Sequence, residues 1–208
     1  MGFSAGNLKF DLSYTQNHSP FLDQIHREYA FTRASSGSGI PALRRGFSLA
    51  CSVQLPLKEQ KFFYGGSLLF SRFSSSDSDP AQIDLNAYRF NLSPFFGIPL
   101  WVKQETSFDF SFGPIAGLHV FSLNKYGDPL QLEDDKNYRP AFFNWGIHLC
   151  VTITRQFADL AAYTFFRNEV YPNYRIGNYQ SALLGTSYPW LTPNGLTLSF
   201  SAGLGLKF

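Results

Sequence analysis

The sequence predicts an all-β protein: an antiparallel up-and-down transmembrane β-barrel of eight strands, with residues 1–208 as one domain. Three observations predict it. Apolar residues recur with a period of two, the spacing of a strand rather than a helix. Short and long connections alternate strictly along the chain, as turns and loops do in a transmembrane barrel. The polar faces of the strands are Gly, Ser, Thr and Asn with scattered charges, whereas a sheet facing water usually carries Lys and Glu there.

The elements follow in chain order. The first strand sets Leu8, Phe10, Leu12 and Tyr14 against Asn7, Lys9, Asp11 and Ser13. The second sets Phe47, Leu49, Cys51, Val53 and Leu55 against Ser48, Ala50, Ser52 and Gln54. Residues 61–73 form the third; both faces are apolar, which leaves its orientation open. The fourth, 86–103, alternates Tyr88, Phe90, Leu92, Phe96, Ile98 and Leu100 against Arg89, Asn91, Ser93, Gly97 and Lys103. Pro94 and Pro99 interrupt it and predict a bulge, since proline cannot donate to the ladder.

The fifth strand, 107–122, sets Phe108, Phe110, Phe112, Ala116, Leu118 and Val120 against Asp109, Ser111, Gly113, Gly117 and His119. The sixth alternates Phe143, Trp145, Ile147, Leu149, Val151 and Ile153 with Asn144, Gly146, His148, Cys150, Thr152 and Thr154. The seventh, 158–169, sets Leu160, Ala162, Thr164 and Phe166 against Tyr163, Phe165, Arg167 and Glu169. The last is the most regular: Leu196, Leu198, Phe200, Ala202, Leu204, Leu206 and Phe208 alternate with Thr197, Ser199, Ser201, Gly203, Gly205 and Lys207.

Three connections are short, at Pro56–Gln60, Gln104–Thr106 and Arg155–Ala158. Four are long, at 16–43, 74–85, 123–139 and 170–195. Eight strands then place both chain ends on the short-turn side. Ala182–Tyr188 is itself strand-like; were it to span with a partner in Leu22–Arg33, the count would be ten.

Composition narrows the field. Charged residues are 15% of the chain and the net charge is +2, too weak a field to recruit nucleic acid. Aromatics are 18%, which excludes a disordered chain or a coiled coil. No run of about 18 uncharged apolar residues exists, which argues against a helical membrane protein. A soluble sandwich or lipid-binding β-barrel shows the same alternation with its apolar face turned inward. Against that alternative stand large aromatics near strand ends, at Tyr14, Phe47, Tyr88, Phe108 and Phe143, as in the girdles of a membrane interface. Two cysteines, Cys51 and Cys150, are too few for a disulfide scaffold, and the phases put them on opposite faces. Met1–Gly6 has neither a basic nor an apolar leader region, so no signal peptide is expected within the chain.

The run Phe95-Phe96-Gly97-Ile98-Pro99-Leu100-Trp101-Val102-Lys103, followed by Phe112-Gly113-Pro114-Ile115-Ala116-Gly117-Leu118, resembles the core of the outer-membrane β-barrel domain ("porin family") proteins of Bacteroidota. Ala202-Gly203-Leu204-Gly205-Leu206-Lys207-Phe208 resembles that family's terminal strand. The similarity runs from about residue 44 to the end. It implies an eight-stranded barrel in the bacterial outer membrane whose signal peptide has been removed. It also implies that the strand ending in Phe208 is read by the barrel-assembly machinery. The family has no common catalytic residues, so none is carried over.

Candidate chemistry is sparse. His119 and His148 fall on lumen faces of neighbouring strands; a metal pair lacks further ligands at sensible spacing, so hydrogen-bonded histidines are expected. Lys9, Asp11, Arg89, Lys103, Asp109, Arg167, Glu169 and Lys207 also point inward and predict an ion-paired polar plug rather than a wide channel. His18, Ser19, Asp23 and His26, with Arg27 and Glu28, offer the residue types of a lipid-modifying enzyme at the rim, without a motif. Glu133-Asp134-Asp135 lacks the spacing of a calcium loop. No catalytic, cofactor or metal residue is assigned, and no cofactor is expected.

The functional expectation is a non-enzymatic outer-membrane barrel that presents long extracellular loops, as a structural or accessory subunit of an envelope complex. Its expected partners are outer-membrane lipid, the assembly machinery and a protein of that complex, with no nucleic acid. The alternatives are a small lipid-modifying enzyme with a rim site and a soluble lipid-binding barrel.

Overall fold

The computed structural model describes residues 7–19, 45–57, 61–74, 83–125, 137–138, 141–157, 160–175 and 194–208. They form β1 (Asn7–His18), β2 (Arg45–Leu57), β3 (Phe62–Ser74), β4 (Ile83–Lys103), β5 (Thr106–Lys125), β6 (Asn137–Tyr138), β7 (Ala141–Phe157), β8 (Leu160–Arg175) and β9 (Asn194–Lys207). Apart from the two-residue β6, which pairs on the edge of β5, each strand is antiparallel to its neighbours in sequence. β9 returns to β1, from Lys9↔Lys207 to His18↔Leu198. The eight long strands therefore close into an up-and-down barrel, as the alternation of connections predicts. The ring closes without the two extra segments a count of ten requires; Leu22–Arg33 and Ala182–Tyr188 lie outside the described residues.

The pleat sorts side chains as expected. Along β1, Lys9, Asp11, Ser13, Thr15 and Asn17 are buried while Phe10, Leu12 and Tyr14 are exposed. Leu204, Leu68 and Phe143 are 67%, 65% and 64% exposed, whereas Arg89, Asn144 and Thr197 are hidden. A water-soluble fold has the opposite arrangement. Such an apolar outer band suits a bilayer, and the soluble-barrel alternative fails on this inversion.

β3 resolves the orientation that its sequence leaves open. Phe63, Ser67, Leu69, Ser71 and Phe73 point inward, and Phe62, Tyr64 and Leu68 are exposed. The bulge expected in β4 lies between Pro99 and Trp101. It resets the alternation, so Lys103, expected in the lumen, is exposed beside the turn. That turn is Gln104–Glu105, with Gln104 at φ 52°, the left-handed conformation a tight hairpin demands. β7 runs to Phe157, which pairs with Leu160 across the next turn. β8 continues to Arg175, beyond the expected loop start, through a bulge between Tyr171 and Tyr174.

Two lumen glycines are set by close approach. Gly205 stands directly opposite Tyr163, and Gly97 directly opposite Phe63. In each pair the ring occupies the space a Cβ would need, so an aromatic folds inward across its glycine partner.

Candidate functional site

The lumen is filled by side chains in two layers. The layer nearer the long connections centres on Arg89, which the alternation of β4 aims inward between Tyr88 and Phe90 and which is 2% exposed. Its Nη1 donates to Ser199 Oγ on β9 at 2.6 Å, and its Nη2 to Asn17 Oδ1 on β1 at 3.0 Å. Ser199 also donates to Asn17. The guanidinium lies 4.4 Å from the ring centroid of Phe73 on β3, 5.2 Å from Tyr174 and 5.4 Å from Tyr171 on β8. Glu169, opposite Ser199 in register, is buried in this region and supplies negative charge to offset the guanidinium.

His119 on β5 belongs to the same layer. Its Nε2 donates to Asn91 Oδ1 at 2.9 Å, and its Nδ1 meets the Tyr174 hydroxyl at 3.0 Å. Asn91 donates to the Tyr171 hydroxyl at 2.9 Å, which donates in turn to Glu169 Oε2 at 3.0 Å. Beside this network, the hydroxyls of Ser201, Thr15, Ser48 and Ser71 link β9, β1, β2 and β3 at 2.8, 2.7 and 2.7 Å. Polar burial on this scale is tolerable because most of these groups satisfy one another, although the buried Arg89 Nε has no hydrogen-bond partner among the described groups.

The layer nearer the short turns is looser. Asp11 Oδ2 accepts from Tyr163 at 3.2 Å and forms an ion pair with Arg167 at 3.4 Å. Ser93 donates to the Pro114 carbonyl at 3.1 Å, so His148 Nδ1, at 2.6 Å, is the donor to Ser93. A polar cavity of about 50 Å³ is lined by Lys9, Asp11, Asp109, His148, Cys150 and Arg167, among others. Asp11 Oδ1 and Arg167 Nη1, both buried, have no partner among the described groups. That volume has room for a few ordered waters. A large, mostly apolar concave surface runs past Phe10, Leu68, Phe90 and Leu204, on the outer band.

Of the charges expected inside, Lys9, Asp11, Arg89, Arg167 and Glu169 are buried in the lumen. Asp109 and Lys207 are half-buried near the short turns, and Lys103 lies outside. The plug is held less by ion pairs than by hydroxyls, amides and rings. His119 and His148 are hydrogen-bonded, as expected, but in different layers: His119 pairs with Phe142 in register and His148 with Gly113. Among the described residues no group of three or more His, Cys, Asp or Glu could hold a metal. Cys51 faces outward, Cys150 lies in the lumen, and both are free thiols.

Of the rim residues, Ser19 is buried and His18 exposed. Ser19 Oγ meets Thr197 Oγ1 at 2.8 Å and the Leu196 carbonyl at 3.3 Å, bonds that tie the end of β1 to β9. Asp23, His26, Arg27, Glu28 and Glu133–Asp135 lie outside the described residues. Sequence reasoning missed Phe73, Tyr171 and Tyr174 as partners of Arg89. One signal was present: the inward series Tyr163, Phe165, Arg167, Glu169 continues in phase to Tyr171.

No protein-family model and no curated protein matches the chain. Solved structures do. Neisserial surface protein A aligns with a TM-score of 0.55 at 10% identity, over 100% of this chain and 98% of that one. A major outer membrane protein from Thermus thermophilus aligns with a TM-score of 0.52 at 11% identity, over 97% and 99%. At such identity the likeness establishes the fold alone, a closed eight-stranded antiparallel barrel of the outer-membrane type.

Proposed function

We propose that the chain is a non-enzymatic barrel of the bacterial outer membrane, acting as a structural or accessory subunit of an envelope complex. The observation that carries the reading is the Arg89 layer. One side chain is fixed by partners on β1, β3, β8 and β9, so the end of the barrel that bears the long connections is braced across its width. A braced, filled barrel suits a rigid mount for binding segments better than a conduit. The engagement of Ser19 with β9 also favours a structural role for that residue over a nucleophilic one. The Phe95–Lys103 and Phe112–Leu118 motifs support membership of the Bacteroidota porin family. The apolar outer band, with Leu204, Leu68 and Phe143 exposed, supports a place in outer-membrane lipid, and the resemblance of Ala202–Phe208 to that family's last strand supports delivery there by the barrel-assembly machinery.

The test replaces residues 20–44 and 176–193 with short Gly/Ser links. The variant should still show the heat-dependent gel migration of a folded barrel, and should lose an envelope partner captured by cross-linking in cells. Retention of that partner would reject the reading. So would a lipid modification in cells that disappears with Ser19→Ala.

A further inference from the structure

We propose that the outer surface of β1–β4, at the end bearing the long connections, binds the phosphate of an anionic lipid headgroup through Arg45 and Arg72. This rests on the reading that the outer face meets lipid. Both arginines are exposed at outward positions of neighbouring strands, β2 and β3. The register sets Arg45 opposite Ser74 and Arg72 opposite Phe47, so the two are diagonal neighbours whose Cα atoms are about 7–8 Å apart. The Arg72 guanidinium lies 5.8 Å from the ring centroid of Tyr88, which draws it toward β4 along the barrel wall. Gln16, opposite Arg45 on β1, is exposed on the same face and adds donors.

Charge and depth agree on the ligand. Every Asp and Glu whose side chain is described lies elsewhere: Asp11, Asp109 and Glu169 face the lumen, and Glu105 sits in a short turn. Neither Arg45 nor Arg72 is ion-paired among the described residues. Two like charges on one patch of the wall repel, and an anion bound among them offsets that repulsion. The planar fork of arginine matches a phosphate. Phe47 and Tyr88 flank Arg72 across its two ladders, and Phe70, one pleat toward the apolar band, lies 6.4 Å from Phe47 and stacks 6.5 Å from Tyr88. Cations set at the rim of an aromatic girdle are at headgroup depth, with the apolar band beyond to receive acyl chains. That continuity favours a lipid over a free phosphate.

The test uses the full chain in phosphatidylcholine nanodiscs containing phosphatidylglycerol, with native mass spectrometry to count co-retained lipid. The parent should retain phosphatidylglycerol preferentially, less so as salt rises. Arg45→Gln and Arg72→Gln should each lower the preference about five-fold. Arg155→Gln, an outward arginine at the opposite end, should leave it unchanged. Equal retention of both lipids by the parent, or an undiminished preference in both single variants, would overturn the proposal. Displacement of phosphatidylglycerol by inorganic phosphate would overturn the lipid assignment. Failure of the parent to enter phosphatidylcholine alone would instead strike the membrane reading beneath it.

Discussion

The guanidinium of Arg89 stacks 4.4 Å from the ring centroid of Phe73, with both residues buried in the lumen. Arg89→Ala would remove this contact, two hydrogen bonds and the contacts with Tyr171 and Tyr174 together. The expected loss is about 3–5 kcal/mol, since polar partners are left facing a void. Arg89→Lys should recover only part of it, because an ammonium has neither the fork nor the flat face. Urea unfolding in lipid vesicles measures both. A parental midpoint for Arg89→Ala would remove Arg89 from the plug.

Leu204 stands opposite Leu12, within the outward run of β1 from Leu8 to Tyr14. Leu204→Arg should cost about 2–4 kcal/mol in lipid, and Leu196→Arg, near the far end of β9, about 0–1 kcal/mol. Folding yield into vesicles reports the difference. If Leu204→Arg folds like the parent, this face does not meet lipid.

Cys51 and Cys150 lie on β2 and β7, strands that do not pair, with side chains on opposite faces of the wall. A disulfide needs converging Cβ vectors and Cα atoms within about 7 Å. Both thiols should stay free under oxidising conditions, and a lipid-soluble maleimide should modify Cys51 well before Cys150. An intramolecular bridge detected by mass spectrometry would show the strand phases to be wrong.

Ser74 ends β3 at the long-connection side, and Gln104 lies in the turn between β4 and β5 at the other. In intact cells a membrane-impermeant maleimide should label Ser74→Cys and spare Gln104→Cys until the cells are opened. The reverse pattern would invert the orientation of the barrel.

Most of the ring is legible in the sequence because a barrel wall has one apolar and one small or polar side. β1, β2, β7 and β9 satisfy that condition almost residue by residue. β3 does not, since Phe63, Leu69 and Phe73 are inside: Phe73 covers Arg89, and Phe63 fills the space over Gly97. Alternation carried straight through β4 points Lys103 inward, because the prolines signal a bulge without saying where the phase shifts by one residue. The Arg89 layer was half-legible. Alternation points Arg89 inward, but its partners lie 72 and 110 residues away, on strands whose register periodicity alone does not fix. Tyr174 escaped because the bulge after Tyr171 breaks the period that would have revealed it.

The chain of hydroxyls across β9, β1, β2 and β3 has a sense of rotation. Each hydroxyl owns one proton. Ser48 gives its proton to Ser71, so in its contact with Thr15 it can only accept. Thr15 has then spent its own proton on Ser48, and Ser201 must donate to Thr15. Donation thus runs one way, Ser201 to Thr15 to Ser48 to Ser71, and the aligned O–H dipoles circulate about the barrel axis instead of pointing along it. Reversing the Ser201–Thr15 link would require reversing the other two, since neither Thr15 nor Ser48 has a second proton to give. The chain therefore acts as a single polarised unit, and Thr15 and Ser48, its two inner members, are where one lost hydroxyl would cut it.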